Sequence, residues 1–236
     1  MAISIIKTCM SIKYDGWELN EFDNANNFRN YQFELILKYI KGQTAEIGPG
    51  TGSNIKKYIN QISSLHLYEP SKNLFKVLKK KFKHNKIKII NKPIKIKEKK
   101  FDTIIYLDVL EHVQNDEVEV KKALKNLKKG GYLIINVPAF NLLYSEFDKD
   151  VGHFKRYKKN DFKKILTNQK YNKVEMKYYD SIGFILALLS KIVNVNYKKN
   201  FNKKIYLWNN LIPISKLLDK CVFNSFGKSL ICVIKK

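Results

Sequence analysis

The residues best able to do chemistry fall in two places. The first is Ala45-Glu46-Ile47-Gly48-Pro49-Gly50-Thr51-Gly52-Ser53-Asn54, where a short apolar run enters three glycines at alternate positions. Glycine permits a tight turn and close approach of backbone to a ligand, and in open α/β sheets ligands sit at the carboxyl ends of strands. A dinucleotide loop would read G-x-G-x-x-G and set pyrophosphate on a helix N-terminus. Here the third glycine comes one residue early, and Ser53 stands where that pattern wants glycine. Glu46 adds a negative charge that repels pyrophosphate but suits a cationic amino or sulfonium group. Glu69 follows 17 residues beyond Gly52 and ends the apolar run 65–69 with a carboxylate, which can accept both hydroxyls of a ribose. The pattern points to a nucleoside cofactor; an ordinary glycine turn and a solvated strand-end acid are the alternatives.

The second place is the segment 137–157, which carries Asp148, His153, Arg156 and Tyr157. Histidine is the usual base near neutral pH, and Asp148 can orient it. The same side chains can equally pin the segment structurally, so spacing alone leaves both roles open. Among the other histidines, His112 reads as a packing or hydrogen-bonding residue, His66 lies within a strand and His84 in a lysine run. Cys9, Cys221 and Cys232 are scattered, with no CxxC or Cys/His cluster, so no metal is expected. Sparse cysteine fits a reducing cytoplasm.

Such residues need rigid elements behind them. Strand signals fall near 43–47, 65–69, 86–91, 102–107 and 131–136, and helix signals near 24–40, 53–60, 71–83 and 115–128. This alternation predicts a parallel sheet with helices on both faces. Lys-Lys-Gly-Gly at 128–131 reads as a helix stop followed by a turn. Residues 1–23 read as an irregular arm. After Pro138 a helix is expected at 159–168 and strands at 172–179 and 228–234. The long stretch between those two strands has apolar segments at 182–193 and 206–218, so it should form helices of its own.

Composition narrows the classes. A chain of 236 residues with 44% hydrophobic and 13% aromatic content is globular. The net charge of +24 invites a polyanion. Yet only Arg29 and Arg156 among 45 basic residues are arginine, and Asn and Ile are abundant. Lys, Asn and Ile share A/T-rich codons, whereas a phosphate-reading surface favours the arginine fork. A nucleic-acid partner is therefore not expected. The opening MAISIIKTCM has too short an apolar run for a signal peptide, and the apolar run 182–189 is far short of the ~20 residues that span a bilayer. A cytoplasmic protein is expected. Residues 181–211, apolar with interleaved lysines and aromatics, suit peripheral contact at the inner face of the membrane, while packing on the core or in a dimer remains the plainer alternative. The oligomeric state is left open.

Taken together, the glycine loop, Glu69, the segment Phe101-Asp-Thr-Ile-Ile-Tyr-Leu-Asp-Val-Leu-Glu-His-Val113 and the segment Leu127-Lys-Lys-Gly-Gly-Tyr-Leu-Ile-Ile-Asn-Val-Pro138 resemble the class I S-adenosylmethionine-dependent methyltransferases. The resemblance implies a Rossmann-like, seven-stranded, mostly parallel sheet with helices on both faces, the last strand antiparallel and a helical insertion before it. It implies one methyltransferase domain over 1–236: an arm and cap helix (1–40), a cofactor-binding core (41–138), a substrate segment with strand six (139–180), the insertion (181–226) and the last strand (227–236). S-adenosylmethionine would lie against Glu46, Gly48, Pro49, Gly50, Thr51 and Gly52. Glu69, with Pro70 beside it, would hold the ribose, and Asp108, Val109 and Leu110 would run along the cofactor. Tyr31, with Asn27, would cap it. Family members often carry an acid after strand three for the adenine amino group; here Asn91 would serve instead. The segment Asp148, His153, Arg156, Tyr157 resembles a bacterial subgroup often associated with polysaccharide or lipid-linked sugar pathways. It implies catalysis by His153 and Asp148, and a small-molecule or lipid-linked substrate touched by Arg156 and Tyr157, methylated at O or N. RNA or protein methylation, a non-catalytic protein keeping the fold, and an NAD enzyme disfavoured by the glycine spacing are the competing classes.

Overall fold

Along residues 101–107 the side chains alternate between two buried layers, Ile104 and Tyr106 on one face and Ile105 and Leu107 on the other. A strand apolar on both faces belongs in the middle of a sheet covered on both sides, and there it lies. The computed structural model describes residues 16–96, 100–193 and 196–236. Residues 1–15 of the expected arm, Cys9 among them, lie outside the described residues.

Helices α1 (Leu19–Asp23) and α2 (Asn26–Ile36) lead into β1 (Gly42–Ile47) and β2 (Ile62–Tyr68). Then come α3 (Lys72–Lys81), β3 (Ile87–Ile90), β4 (Phe101–Leu107), α4 (Asp116–Asn126) and β5 (Leu127–Pro138). The chain continues with α5 (Glu146–Asp150), α6 (Lys159–Ile165), β6 (Lys173–Tyr179), α7 (Ser181–Ile192), α8 (Phe201–Cys221) and β7 (Ser229–Lys235). The sheet has seven strands in the order β3-β2-β1-β4-β5-β7-β6. β1 to β5 are parallel, and β7 runs antiparallel between β5 and β6. This is the Rossmann-like, mostly parallel arrangement expected from the sequence, with the last strand antiparallel. Strand order reverses at β1 and β4, so the loops after these two strands open onto one crevice. Residues of α4 and α6 cover one face, and residues of α2, α3 and α8 the other.

Three expectations need correction. No α-helix spans 53–60. Two 3-10 turns, Ile55–Lys57 and Ile59–Gln61, stand there instead. Tyr58 between them takes φ −135°, which turns its ring into the core and stops any helix. Nor is 128–131 a turn outside the sheet. α4 stops at Asn126, Leu127 is already extended, and the lysines and glycines form a bulge within β5 between its pairings with Phe101 and Thr103. Finally, residues 19–23 of the expected irregular arm are helical.

The insertion forms α7 and α8, tied to the core by two buried aspartates. Asp180, in the left-handed region at φ 65°, caps α7 through Gly183 N and accepts from Trp208 Nε1 at 2.8 Å. Asp219 accepts the backbone N–H groups of Asp180 and Ser181 and, at 2.8 Å, the hydroxyl of Tyr31. Each of the four carboxylate oxygens thereby accepts at least one hydrogen bond. Among the described residues no helix is long and apolar enough to cross a membrane.

Candidate functional site

β1 delivers the glycine loop to the crevice. Gly48, Gly50 and Gly52 all have positive φ, at 62°, 59° and 71°. A Cβ on Gly48 would stand 2.8 Å from Val109 Cγ2, and one on Gly52 2.5 Å from Phe82 Cε2, so the loop is wedged between the turn after β4 and the end of α3. Glu69 leaves the end of β2 and bridges two backbone donors, Gly50 N at 3.2 Å and Ser71 N at 2.8 Å. Burial pushes its carboxyl up to about 7, against the pull of those two N–H groups. Asn91 donates its side-chain N–H to the carbonyls of Glu69 (2.8 Å) and Pro70 (3.2 Å), fixing the turn that carries Glu69. Glu46 lies beneath the loop, fully buried, and accepts the Tyr58 hydroxyl; burial raises it too to about 7. Above the loop, Asp23 of α1 accepts the hydroxyls of Thr51 and Ser53, each at 2.5 Å, and Gly52 N closes a turn onto Pro49 O at 2.9 Å.

β4 delivers Asp108, itself at φ 57°. Its carboxylate accepts Asn136 Nδ2 at 2.5 Å and the Arg29 guanidinium at 3.0 Å. Val109 packs on Gly48, and Leu110 is buried with its carbonyl accepting the Tyr157 hydroxyl at 3.1 Å. The same hydroxyl lies 2.9 Å from Asp116, sharing its one proton between the two acceptors, and Tyr157 is fully buried, so it braces the segment after β5 against α4. Tyr31 is likewise in the core, edge-on to Tyr179 with its hydroxyl on Asp219. Arg29, on the same helix, is the α2 side chain that reaches Asp108.

The segment after β5 does gather its polar residues. Asp148 has no exposed surface and receives Arg156 twice, at 2.9 Å each, and His153 Nδ1 at 2.8 Å. Burial works to raise its carboxyl, but the His153 bond and the Arg156 charge hold it at about 2. The His153 ring meets His112 edge-on at 4.7 Å, and its Nε2 lies 3.8 Å from Glu111 Oε1. Burial, then the neighbouring His153, lowers His112 to about 4, so its ring is neutral near pH 7. Burial, reinforced by Asp108, holds Glu111 well above the usual carboxylate range.

These groups line one cavity of about 1000 Å³. Its polar end holds Asp108, Glu111, His112, His153 and Arg156. Its other walls are aromatic, from Phe22, Phe28, Phe147, Phe201 and Trp208, with Lys191, Lys198, Lys204 and Lys228 around them. Phe147 and Phe201 stack at 5.8 Å, which docks the insertion onto the segment after β5.

Residues 45–135 match the family model described as a methyltransferase domain. A protein of Methanocaldococcus jannaschii without assigned function is 28% identical over 76% of this chain and 96% of its own. The ubiquinone biosynthesis O-methyltransferase of Pelagibacter ubique is 29% identical over 55% of this chain and 62% of its own. Among solved structures, an S-adenosylmethionine-dependent methyltransferase from Archaeoglobus fulgidus superposes with TM-score 0.63 at 15% identity, over 93% of this chain and 98% of that one. Residues 45–135 thus match a methyltransferase domain, and the fold around them is that of S-adenosylmethionine-dependent methyltransferases.

Reading the sequence missed two features of this site. One is the network joining Arg29, Gln32, Tyr179, Asn136 and Asp108. Its signal was there, since the chain keeps arginine at two positions only and both end on an aspartate beside the cavity. The other is the meeting of Glu111 and His112 with His153, which no local spacing announces because His153 comes from a separate segment.

Proposed function

We propose that this methyltransferase moves the methyl group of S-adenosylmethionine to an O or N atom of a small-molecule or lipid- or sugar-linked acceptor that enters the cavity under α7 and α8. The observation that carries this reading is the cavity itself: it begins at Asp108, beside the glycine loop, and is walled by the insertion. A pocket with largely apolar walls and a few convergent polar groups is what a small or amphipathic ligand needs. The segment Asp148, His153, Arg156, Tyr157 supports placing the chain in the bacterial subgroup associated with polysaccharide or lipid-linked sugar pathways.

In this reading the glycine loop, with Pro49 and Thr51, holds the methionine and ribose portions. Glu69 accepts the ribose hydroxyls, Glu46 supports the loop from below, and Asp108, Val109 and Leu110 run along the donor. Asn91, whose amide nitrogen is engaged, offers its oxygen to the adenine amino group. Tyr31 holds α2 in register through Asp219, so that Arg29 can fix Asp108. When bound, the donor supplies an electrophilic methyl: the acceptor lone pair forms the new bond to carbon, the S–CH₃ pair stays on sulfur, and the acceptor's proton leaves. The polar end of the cavity, with His153 oriented by Asp148, is where that proton is given up. Arg156 and Tyr157 set the shape of that end.

Calorimetry tests the donor assignment. S-adenosylmethionine and S-adenosylhomocysteine should bind one per chain, and NAD should not. Binding of NAD, or failure of S-adenosylhomocysteine to bind, would overturn it.

The outer faces of α7 and α8 expose Leu189 (52%), Ile192 (71%), Leu207 (59%) and Leu217 (65%), with Lys199, Lys203 and Lys220 exposed nearby. This supports peripheral contact of the insertion with an anionic membrane surface, where a lipid-linked acceptor would be met.

A further inference from the structure

Three potential ligand side chains converge at the polar end of the cavity. Glu111 and His112 come from the 3-10 turn Leu110–His112 after β4, and His153 comes from the segment after α5. Their ligating atoms all lie within 4.8 Å of one another. Each is prepared for an ion in a different way. His153 gives Nδ1 to Asp148 at 2.8 Å, and Asp148 is clamped by Arg156, which leaves Nε2 directed to the Glu111 side. A carboxylate behind a histidine in this manner fixes ring orientation and tautomer and raises the basicity of the far nitrogen. The His112 ring is held by a backbone hydrogen bond at Gly152.

Glu111 is the deciding residue. It is 1% exposed, and among the described residues neither of its carboxylate oxygens has a hydrogen-bond partner from another residue. A buried carboxylate without donors is costly and calls for a compensating cation. Neither nearby arginine hydrogen-bonds it, since Arg29 donates to Asp108 and Arg156 to Asp148, and the Arg156 charge offsets its burial only in part. All three residues face the same cavity, so an ion held by them keeps coordination positions open on that side.

We propose that Glu111, His112 and His153 bind a divalent transition-metal ion such as Mn²⁺, Fe²⁺, Co²⁺ or Zn²⁺. Two imidazoles with one carboxylate favour this class over Mg²⁺ or Ca²⁺, which prefer all-oxygen sites. Three protein ligands with open positions are the arrangement of a catalytic site, in contrast to the closed four-ligand shell of a structural one. The ion's role in the reaction rests on the methyl-transfer reading above. An acceptor hydroxyl bound at an open position would lose its proton more readily and be presented towards Asp108 and the glycine loop. His153, with Nδ1 on Asp148 and Nε2 on the ion, would then act on the acceptor through the ion, and the proton would pass to water in the cavity.

The test uses the full chain, stripped with a chelator and titrated with Co²⁺ alone and with Mn²⁺ alone. One ion per chain is expected, with a visible Co²⁺ spectrum from a nitrogen-containing site. Glu111→Gln, close to isosteric, should weaken binding by about 100-fold. Absence of stoichiometric binding, or equal binding by a folded Glu111→Gln protein, would overturn the proposal. If that variant does not fold, spin-echo measurements on the Mn²⁺-loaded wild type decide: modulation from directly bound imidazole nitrogen supports the site, and its absence overturns it. S-adenosylhomocysteine binding is measured on the same metal-free protein by calorimetry. Failure there strikes the donor assignment and leaves the metal site standing, and the converse result separates them equally.

Discussion

Arg29 on α2 and Asp108 after β4 meet at 3.0 Å, and the same guanidinium nitrogen also donates to Gln32. This pair joins the N-terminal helix to the turn that flanks the glycine loop. Asp108 needs the help, because it sits at φ 57° in a region non-glycine residues seldom occupy. Lysine has one point charge and cannot donate to Gln32 and Asp108 in the same planar geometry.

Arg29→Ala should therefore cost about 1–2 kcal/mol, the lower part of the range for a charged hydrogen bond because the Asp108 side chain is 38% exposed and partly screened. Arg29→Lys should recover less than half of this. Urea unfolding of the three proteins checks it, and a lysine variant as stable as wild type would refute the geometric part.

Glu69 gives a prediction on affinity and pH together. Glu69→Gln should weaken S-adenosylmethionine by 10- to 100-fold, about 1–3 kcal/mol. Its carboxyl, raised by burial to about 7, is largely protonated below that pH in the free protein. Binding through ribose hydroxyls wants the ionised form, so wild-type affinity should be constant above pH 7 and fall by up to about tenfold per unit below it. Calorimetry between pH 5.5 and 8.5 should show Glu69→Gln flatter than wild type.

Tyr58→Phe removes the hydroxyl that Glu46 accepts while keeping the ring stacked on Phe33. Glu46 is raised from 4.5 to about 7, chiefly by burial. The folded state thus pays nothing for this group below pH 4.5 and bears the full cost of its charge above 7. The lost hydrogen bond should then destabilise by about 1–2 kcal/mol at pH 8 and by less at pH 5. Denaturation midpoints at the two pH values check the difference, and an equal loss at both would contradict it.

For the insertion, co-sedimentation with anionic vesicles should be measurable at low salt and should fall as salt is raised. Replacing Leu189 and Ile192 with serine should reduce it without lowering thermal stability, since both side chains are exposed. No sedimentation at low salt would leave α7 and α8 simply as walls of the cavity.

Strand positions were legible because apolar runs bounded by Gly, Pro and Asn need little context. The glycine loop and Glu69 were legible because the spacing itself carries the geometry. The helix expected over 53–60 failed for a tertiary reason: Tyr58 is worth more turned inward on Glu46 than continued in a helix. Residues 128–131 failed because Lys-Lys-Gly-Gly has the composition of a turn, whereas β5 begins at Leu127 and absorbs them as a bulge. Tyr31 and Tyr157 read as ligand-facing aromatics, but their hydroxyls find Asp219 and Asp116, partners far away in the chain. The grouping of Glu111, His112 and His153 could not be read from spacing for the same reason. It exists only once β4 and β5 lie side by side.

The short helix α1 bears on both sides of the site. Asp23 ties it to Thr51 and Ser53 over the glycine loop, while Leu19 and Phe22 of the same helix line the large cavity. One element therefore roofs two compartments. Releasing the two hydroxyl bonds to Asp23 would also unseat part of the cavity's wall. Any movement of this five-residue helix would therefore alter the loop side and the cavity side together.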